Sequence, residues 1–177
     1  MLHKPNFFVF TGGPGVGKTT LLRRLGASGE LVVEENARAV IREQIETGGR
    51  GTPWMDNDLF VELTAARDVE TFDRLASETR RVFFDRGLMD MRGCNGAQPA
   101  AALLEAIRTR RYNRRVFVFP PWREIYHMDA ERRQDWTEAE ATFERVLTNL
   151  ADCAYEPVIL PKVDVETRAA FVLERAV

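Results

Sequence analysis

The sequence predicts an α/β fold in which a parallel sheet is covered by helices on both faces. Two observations predict it. Short apolar runs rich in strand formers alternate with segments of helical spacing to the end of the chain. A glycine-rich stretch joins the first such run to the first such helix. The length agrees, since 177 residues suit one domain, 1–177, that buries roughly 70% of its surface on folding.

The elements follow in order. Phe7 to Phe10 reads as the first strand. After Lys18 the spacing turns helical, with Leu21, Leu22 and Leu25 on one face, Arg23 and Arg24 on the other, and Gly26 and Gly29 as stops. Leu31 to Val33 is the second strand, followed by a helix with Ala37, Val40, Ile41 and Ile45 along one face. "ETGGRGTPW" is a glycine-rich loop. A long helical pattern from Asp56 to about Thr79 has Leu59, Leu63, Ala66 and Phe72 as expected core contacts, and Val82, Phe83 and Phe84 form the third strand. A helix from Pro99 to Arg110 leads to a fourth strand, Val116 to Phe119. Thr137-Glu138-Ala139-Glu140 has capping-box spacing for a helix to about Ala151, Pro157 to Leu160 is the fifth strand, and Asp164 caps the last helix. The expected core is therefore a five-stranded parallel sheet in a three-layer sandwich.

The stretch "VFTGGPGVGKTTLL" fits G-x-x-x-x-G-K-[ST] and sits after a strand and before a helix, where its chemistry requires it. Its glycines let the backbone wrap a phosphate, and the loop N–H groups join the positive end of the helix in facing the anion. The expected nucleotide cradle is Gly12, Gly13, Pro14, Gly15, Val16, Gly17, Lys18, Thr19 and Thr20. Lys18 reaches the β- and γ-phosphates, and its ammonium is expected to stand exposed when the loop is empty. The Thr19 hydroxyl coordinates magnesium.

Such a site needs a second carboxylate at a neighbouring strand end, and "RVFFDRG" supplies Asp85. "LVVEENAR" places Glu34 and Glu35 at the end of the second strand, and Glu35 is preferred because Arg38 lies three residues on. Asp90 reads either as a ligand for an acceptor hydroxyl or as a turn cap.

The set "GGPGVGKTTLL", "VVEENAR", "FFDRGLMD" and "HMDAERR" resembles the small P-loop ATPases called AAA-domain proteins, which are similar to the ribosylnicotinamide kinase domain and other P-loop small-molecule kinases. The resemblance spans nearly the whole chain. It implies ATP and Mg2+ as cofactors, Lys18 and Thr19 as phosphate and magnesium residues, Asp85 as the strand-end carboxylate, and Glu35 as the acceptor-side base. It also implies a lid at about 120–136 with Arg132 or Arg133 over the transferring phosphate. Asp85-Arg86-Gly87 departs from the ribosylnicotinamide kinase branch. The reading is a phosphotransferase moving the γ-phosphate of ATP to a small hydroxyl-bearing acceptor, with an ATP-hydrolysing regulatory protein as the alternative. A remodelling motor is disfavoured because the third strand ends in Asp-Arg rather than Asp-Glu, and a switch GTPase because no Asn-Lys-x-Asp guanine signature is present.

Composition narrows the partners. A net charge of -2 and a pI near 5.8 favour neither nucleic acid nor an anionic membrane. The run Arg108, Arg110, Arg111, Arg114 and Arg115 lacks interleaved aromatics and reads as ordinary surface. Cys94 and Cys153 are far apart and read as free thiols, and the opening apolar run is too short to span a bilayer, so a cytoplasmic setting is expected. Trp54, Trp122 and Trp136 lie in or beside loops, where each either lines a pocket or, the preferred reading, anchors its loop by packing. His3 and His127 have no evident partner.

Overall fold

Alternation of side chains along the strands sets the layers. The computed structural model describes residues 1–125 and 136–177. Its main sheet contains β1 (Phe7–Gly12), β2 (Leu31–Val33), β3 (Val82–Asp85), β4 (Arg115–Phe119) and β5 (Glu156–Ile159), in the order β2-β3-β1-β4-β5. All neighbours run parallel. Leu2–His3 pairs separately with Arg110–Arg111.

Phe7 and Val9 enter one core together with Phe84, Val116 and Val118, whereas Phe8 and Phe10 enter the other with Phe83, Phe117 and Phe119. That two-residue period buries both sheet faces. Helices α1 (Lys18–Ala27) and α6 (Val165–Arg175) cover the phenylalanine-rich face through Leu21, Leu25, Ala169 and Val172. The opposite face is covered by α2 (Asn36–Thr47), α3 (Asn57–Arg74), α4 (Ala101–Thr109) and α5 (Trp136–Asp152). The result is the expected three-layer α/β sandwich. At its edges, β2 is only three residues long, and β5 carries Pro157 beside exposed Glu156 and Ile159.

Several local expectations change. Helix α3 ends at Arg74 rather than near Thr79. The segment after it is held by the turn that precedes β1 instead: Lys4 Nζ donates to the carbonyls of Ala76 and Glu78, and Asn6 Nδ2 to those of Glu78 and Arg80. The buried face of α3 is also rotated. Ala66 is exposed, Leu59 and Leu63 are half-buried, and the inner face includes the polar residues Thr64, Asp68 and Thr71. Polar residues inside hid the true face from the apolar pattern. In the described residues α5 already begins at Trp136, whose indole N–H donates to Glu140 at 2.7 Å, so the 137–140 box lies within the first turn.

Asp164 caps α6 as expected, accepting from the Thr167 N–H at 3.0 Å. The basic run is largely consumed locally: Arg108 pairs with Glu105, Arg110 with Asp73 and Arg114 with Glu156, while Arg111 lies over the Tyr155 ring. Among the described residues, no helix is long and apolar enough to cross a membrane.

Asp68 joins two helices. It accepts a 2.8 Å hydrogen bond from Asn36 Nδ2, at the first turn of α2. Burial pushes its carboxyl up to about 7, with Asp90 and Glu35 adding to the effect against the Asn36 hydrogen bond and Arg86. A carboxyl raised in the fold stabilises it fully below the unfolded value of 3.8, and that stabilisation is lost as pH rises through about 7. Asp68→Asn keeps an acceptor for Asn36 and removes the charge. In urea titrations, the stability gain of the variant over wild type should grow by about 1.4 kcal/mol per pH unit between about pH 4 and about pH 7. A gain independent of pH would show that Asp68 is not neutral in the fold.

Candidate functional site

The site forms where β1 hands the chain to α1. Gly12 pairs with Phe119 of β4 at φ +136°, and a Cβ there would lie 2.6 Å from the Phe119 carbonyl oxygen. Only glycine permits this approach. Gly17 caps α1 in the left-handed region, without a side-chain hydrogen bond and with no acidic residue in the first turn. The open N–H groups and the helix field are thus left for an anion. Pro14 through Thr20 line the cleft, while Val16 also anchors the loop in the phenylalanine-rich core.

Lys18 is not exposed. It is buried, and its ammonium donates to the carbonyls of Gly12 at 3.0 Å and Gly13 at 2.7 Å. The loop carbonyls offer an acceptor in the place a phosphate would take. Burial lowers its pKa to about 8, assisted by the nearby Arg86 guanidinium and opposed by Asp85, Glu35 and Asp90.

Two oxygens stand ready for a hard cation. The Thr19 hydroxyl donates to Asp85 Oδ2 at 3.3 Å, and among the described residues the buried Asp85 Oδ1 has no hydrogen-bond partner. Burial raises the Asp85 carboxyl, against the pull of Lys18. A hydroxyl beside an under-satisfied carboxylate fits magnesium, which binds through one or two protein oxygens and keeps waters and phosphate oxygens for the rest.

Arg86 organises the neighbouring carboxylates. Its backbone turns into the left-handed region at φ 72°, unusual for a residue with a side chain. The guanidinium donates to Glu35 Oε1 at 2.8 Å and to the Gly12 carbonyl at 3.1 Å, and meets Asp90 at 3.5 Å. Burial disfavours its charge, but Glu35, Asp90 and Asp85 outweigh that and hold its pKa above the ordinary value. Glu35 also accepts from Arg38 Nε at 2.8 Å. Burial favours its neutral form, yet Arg86, Lys18 and Arg38 prevail and hold its carboxyl below the usual range.

Of the two adjacent glutamates, Glu35 lines the cleft and Glu34 is exposed. Asp90 caps its own turn, accepting from the Gly87 N–H at 2.9 Å and from the Thr11 hydroxyl. Asp90 thus caps its turn and also lines the cleft. The lid arginines Arg132 and Arg133, and His127, lie outside the described residues.

Sequence reasoning missed Arg86 as a site residue. A cation directly between a strand-end Asp and a Gly was the available signal. It also missed Arg168, which is buried on α6, donates to the carbonyls of Val16 at 3.2 Å and Pro161 at 3.0 Å, and lies over the Trp122 ring at 4.6 Å. Nothing in the helical pattern distinguishes that arginine from surface neighbours. Trp122 and Trp54 both line the cleft, and Trp54 is 66% exposed.

A family model described as "AAA domain" matches residues 7–168. The chain belongs to the AAA-domain family. Among curated proteins, none matches it significantly. Solved structures share its P-loop fold at low identity. A shikimate kinase from Acinetobacter baumannii in complex with shikimate is 16% identical with a TM-score of 0.57, covering 97% of this chain and 92% of that one. A thymidylate kinase from Ehrlichia chaffeensis is 14% identical with a TM-score of 0.59, covering 96% of each chain. A deoxyadenosine kinase from M. mycoides, solved with the products dCMP and dCDP, is 11% identical with a TM-score of 0.63, covering 96% and 97%. This AAA-domain chain thus carries the P-loop fold of those three proteins from end to end.

Lys18→Met replaces the buried ammonium by an apolar chain of similar length. The nucleotide-free protein is expected to melt at or above the wild-type temperature at pH 7, because a charge held in the fold at a cost is removed. The stabilisation by ATP and magnesium, about 2.7 kcal/mol at a hundredfold excess over Kd, should disappear. A variant that keeps the full ligand shift would refute the phosphate role of Lys18.

Proposed function

We propose that this AAA-domain protein is a magnesium-dependent phosphotransferase that moves the γ-phosphate of ATP to a hydroxyl group of a small acceptor. The observation that carries the reading is the extent of the cleft. Half open to solvent, it spans about 1640 Å³ and continues from the glycine loop past Glu35 and Arg86 to Trp54, Met89 and Asn149. A single-ligand pocket is about 300–1,000 Å³, so there is space for a second molecule beside the nucleotide. The three kinases of like fold support the same reading.

In this proposal the Gly12–Thr20 loop holds the triphosphate and Lys18 exchanges its loop carbonyls for phosphate oxygens. Thr19 and Asp85 would hold magnesium, which would supply positive charge to offset the charge developing on the phosphates. Arg168 and Trp122 flank the base end of the cleft, with ATP as the nucleotide. Arg86 presents its cation beside the γ-phosphate, where charge spreads over equatorial oxygens during transfer. Glu35 orients the acceptor hydroxyl. Its two arginine partners hold it ionised, which suits accepting a hydrogen bond better than retaining a proton. The free thiols of Cys94 and Cys153 support a reducing, cytoplasmic setting.

Magnesium and ATP titrations, with hydrolysis and acceptor phosphorylation followed together, test the division of labour. Asp85→Asn should raise the magnesium requirement of every turnover, background hydrolysis included. Glu35→Gln should retain magnesium-dependent ATP binding and depress transfer by roughly 10²- to 10⁴-fold. The reverse pattern would exchange the two roles, and absence of any acceptor phosphorylation across a metabolite screen would overturn the kinase reading.

A further inference from the structure

One side chain near the start of α6 ties the glycine loop to the other segments that border the nucleotide end of the cleft. Arg168 is buried, and its donors go to backbone carbonyls of two separate segments. Nη1 donates to the Val16 carbonyl of the glycine loop at 3.2 Å, and Nε to the Pro161 carbonyl just beyond β5 at 3.0 Å. The guanidinium also lies over two rings at and beyond the end of β4, Phe119 at 5.4 Å and Trp122 at 4.6 Å. Three segments therefore meet on one group.

The arrangement is costly for an ordinary packing contact. Burial lowers the Arg168 pKa, and among the described residues no carboxylate pairs with it. Its Nη2 is buried and has no hydrogen-bond partner among the described residues. A buried cation without a counter-ion is destabilising relative to an apolar side chain of like size. What the guanidinium adds is direction. The Val16–Gly17 peptide is trans, so its carbonyl and its N–H point opposite ways. Drawing the Val16 carbonyl toward Arg168 turns the Gly17 N–H away from it. Helix α1 has no side-chain cap of its own, so a hydrogen bond from another helix replaces the usual device at a helix start. The contact is also close: a Cβ on Gly17 would lie 3.0 Å from Arg168 Nη1. The glycine at position 17 thus makes room for the guanidinium as well as for its own left-handed turn.

We infer that Arg168 is a positioning residue for the phosphate cradle: it holds the Val16–Gly17 peptide so that the Gly17 N–H faces bound phosphate, and through Pro161 and Trp122 it keeps the base end of the cleft in place against that loop. The inference rests on the reading of the glycine loop as a triphosphate cradle and not on phosphate transfer to an acceptor. Polyphosphate on the loop also brings negative charge to a cation that has none paired with it. A residue serving only as a platform for the base would act on ATP and leave a polyphosphate without a base untouched.

The test uses two probes, magnesium ATP and magnesium tripolyphosphate, which lacks the base, with calorimetry on the whole protein. Arg168→Met, apolar and of similar length, should weaken tripolyphosphate on the order of tenfold and ATP at least as much, because a hydrogen bond from a charged donor is lost. Arg168→Lys can reach one carbonyl but lacks the fixed fork that reaches both. It should bind tripolyphosphate more tightly than Arg168→Met and less tightly than wild type. Val172→Ala, at a buried position on the same helix, is the control for stability alone. Its melting temperature should fall while its tripolyphosphate affinity stays within about twofold of wild type. Tripolyphosphate affinity of Arg168→Met within about twofold of wild type, with or without a loss for ATP, would overturn the inference, and so would an equal weakening in Val172→Ala. Should Arg168→Met fail to fold, Arg168→Lys decides by the same comparison with wild type. Failure of both to fold would make Arg168 a residue of stability and overturn the inference as well. A wild-type protein that binds neither probe at about 10 mM would overturn the cradle reading itself, whereas wild-type binding that Arg168→Met leaves intact overturns the inference alone.

Discussion

The half-buried guanidinium of Arg86 joins the ends of three strands. It reaches Glu35 beyond β2, the Gly12 carbonyl at the end of β1, and Asp90 on its own side of β3. A buried charge is tolerated only when its donors are met, because desolvation can exceed the attraction of a single partner. Here several acceptors converge, and their arrangement also holds the backbone at φ 72°, a conformation that costs on the order of 1–3 kcal/mol and persists where surroundings over-determine it. Removing any one acceptor would loosen more than one strand end.

The same cation sets the electrostatic state of the loop beside it. Arg86 and burial together lower the Lys18 ammonium to about 8, while Asp85, Glu35 and Asp90 pull the other way. The unliganded site is thus a crowded mixture of charges, with Lys18 turned onto its own loop carbonyls. An arriving polyphosphate adds negative charge where two cations repel, so binding relieves a conflict as well as forming contacts. Behind this layer, Asp68 is kept largely neutral by burial and by the carboxylates Asp90 and Glu35. Against the effect of burial, Arg86, Lys18 and Arg38 hold Glu35, in front of it, below the usual carboxylate range.

Periodicity and motif made most of this architecture legible. The strands, their parallel order around a glycine loop, and the Thr19–Asp85 pairing across β1 and β3 could be anticipated, since two-residue alternation and G-x-x-x-x-G-K-T report backbone requirements directly. Boundaries failed where distant groups claimed the backbone, as Lys4 and Asn6 do after Arg74. The inner face of α3 was misjudged because Thr64, Asp68 and Thr71 are polar and buried. On α2, Ile41 and Ile45 fit a core stripe in sequence, yet the stripe turns into the cleft at its far end, leaving Ile45 62% exposed. The positions of Arg86 and Arg168 depend on long-range geometry. A left-handed turn and a ring stacked from another loop have no local pattern to announce them.

The sheet borders bear on a different matter. β2 offers three residues of ladder, and β5 interrupts its outer row with Pro157, which has no N–H to donate, beside the charge of Glu156. An incoming extended chain finds too few donors in register to continue the ladder on either side. Although Val32 and Ile159 leave apolar surface exposed on those borders, the backbone there is a poor template for crowded copies of this protein to grow into one another sheet to sheet.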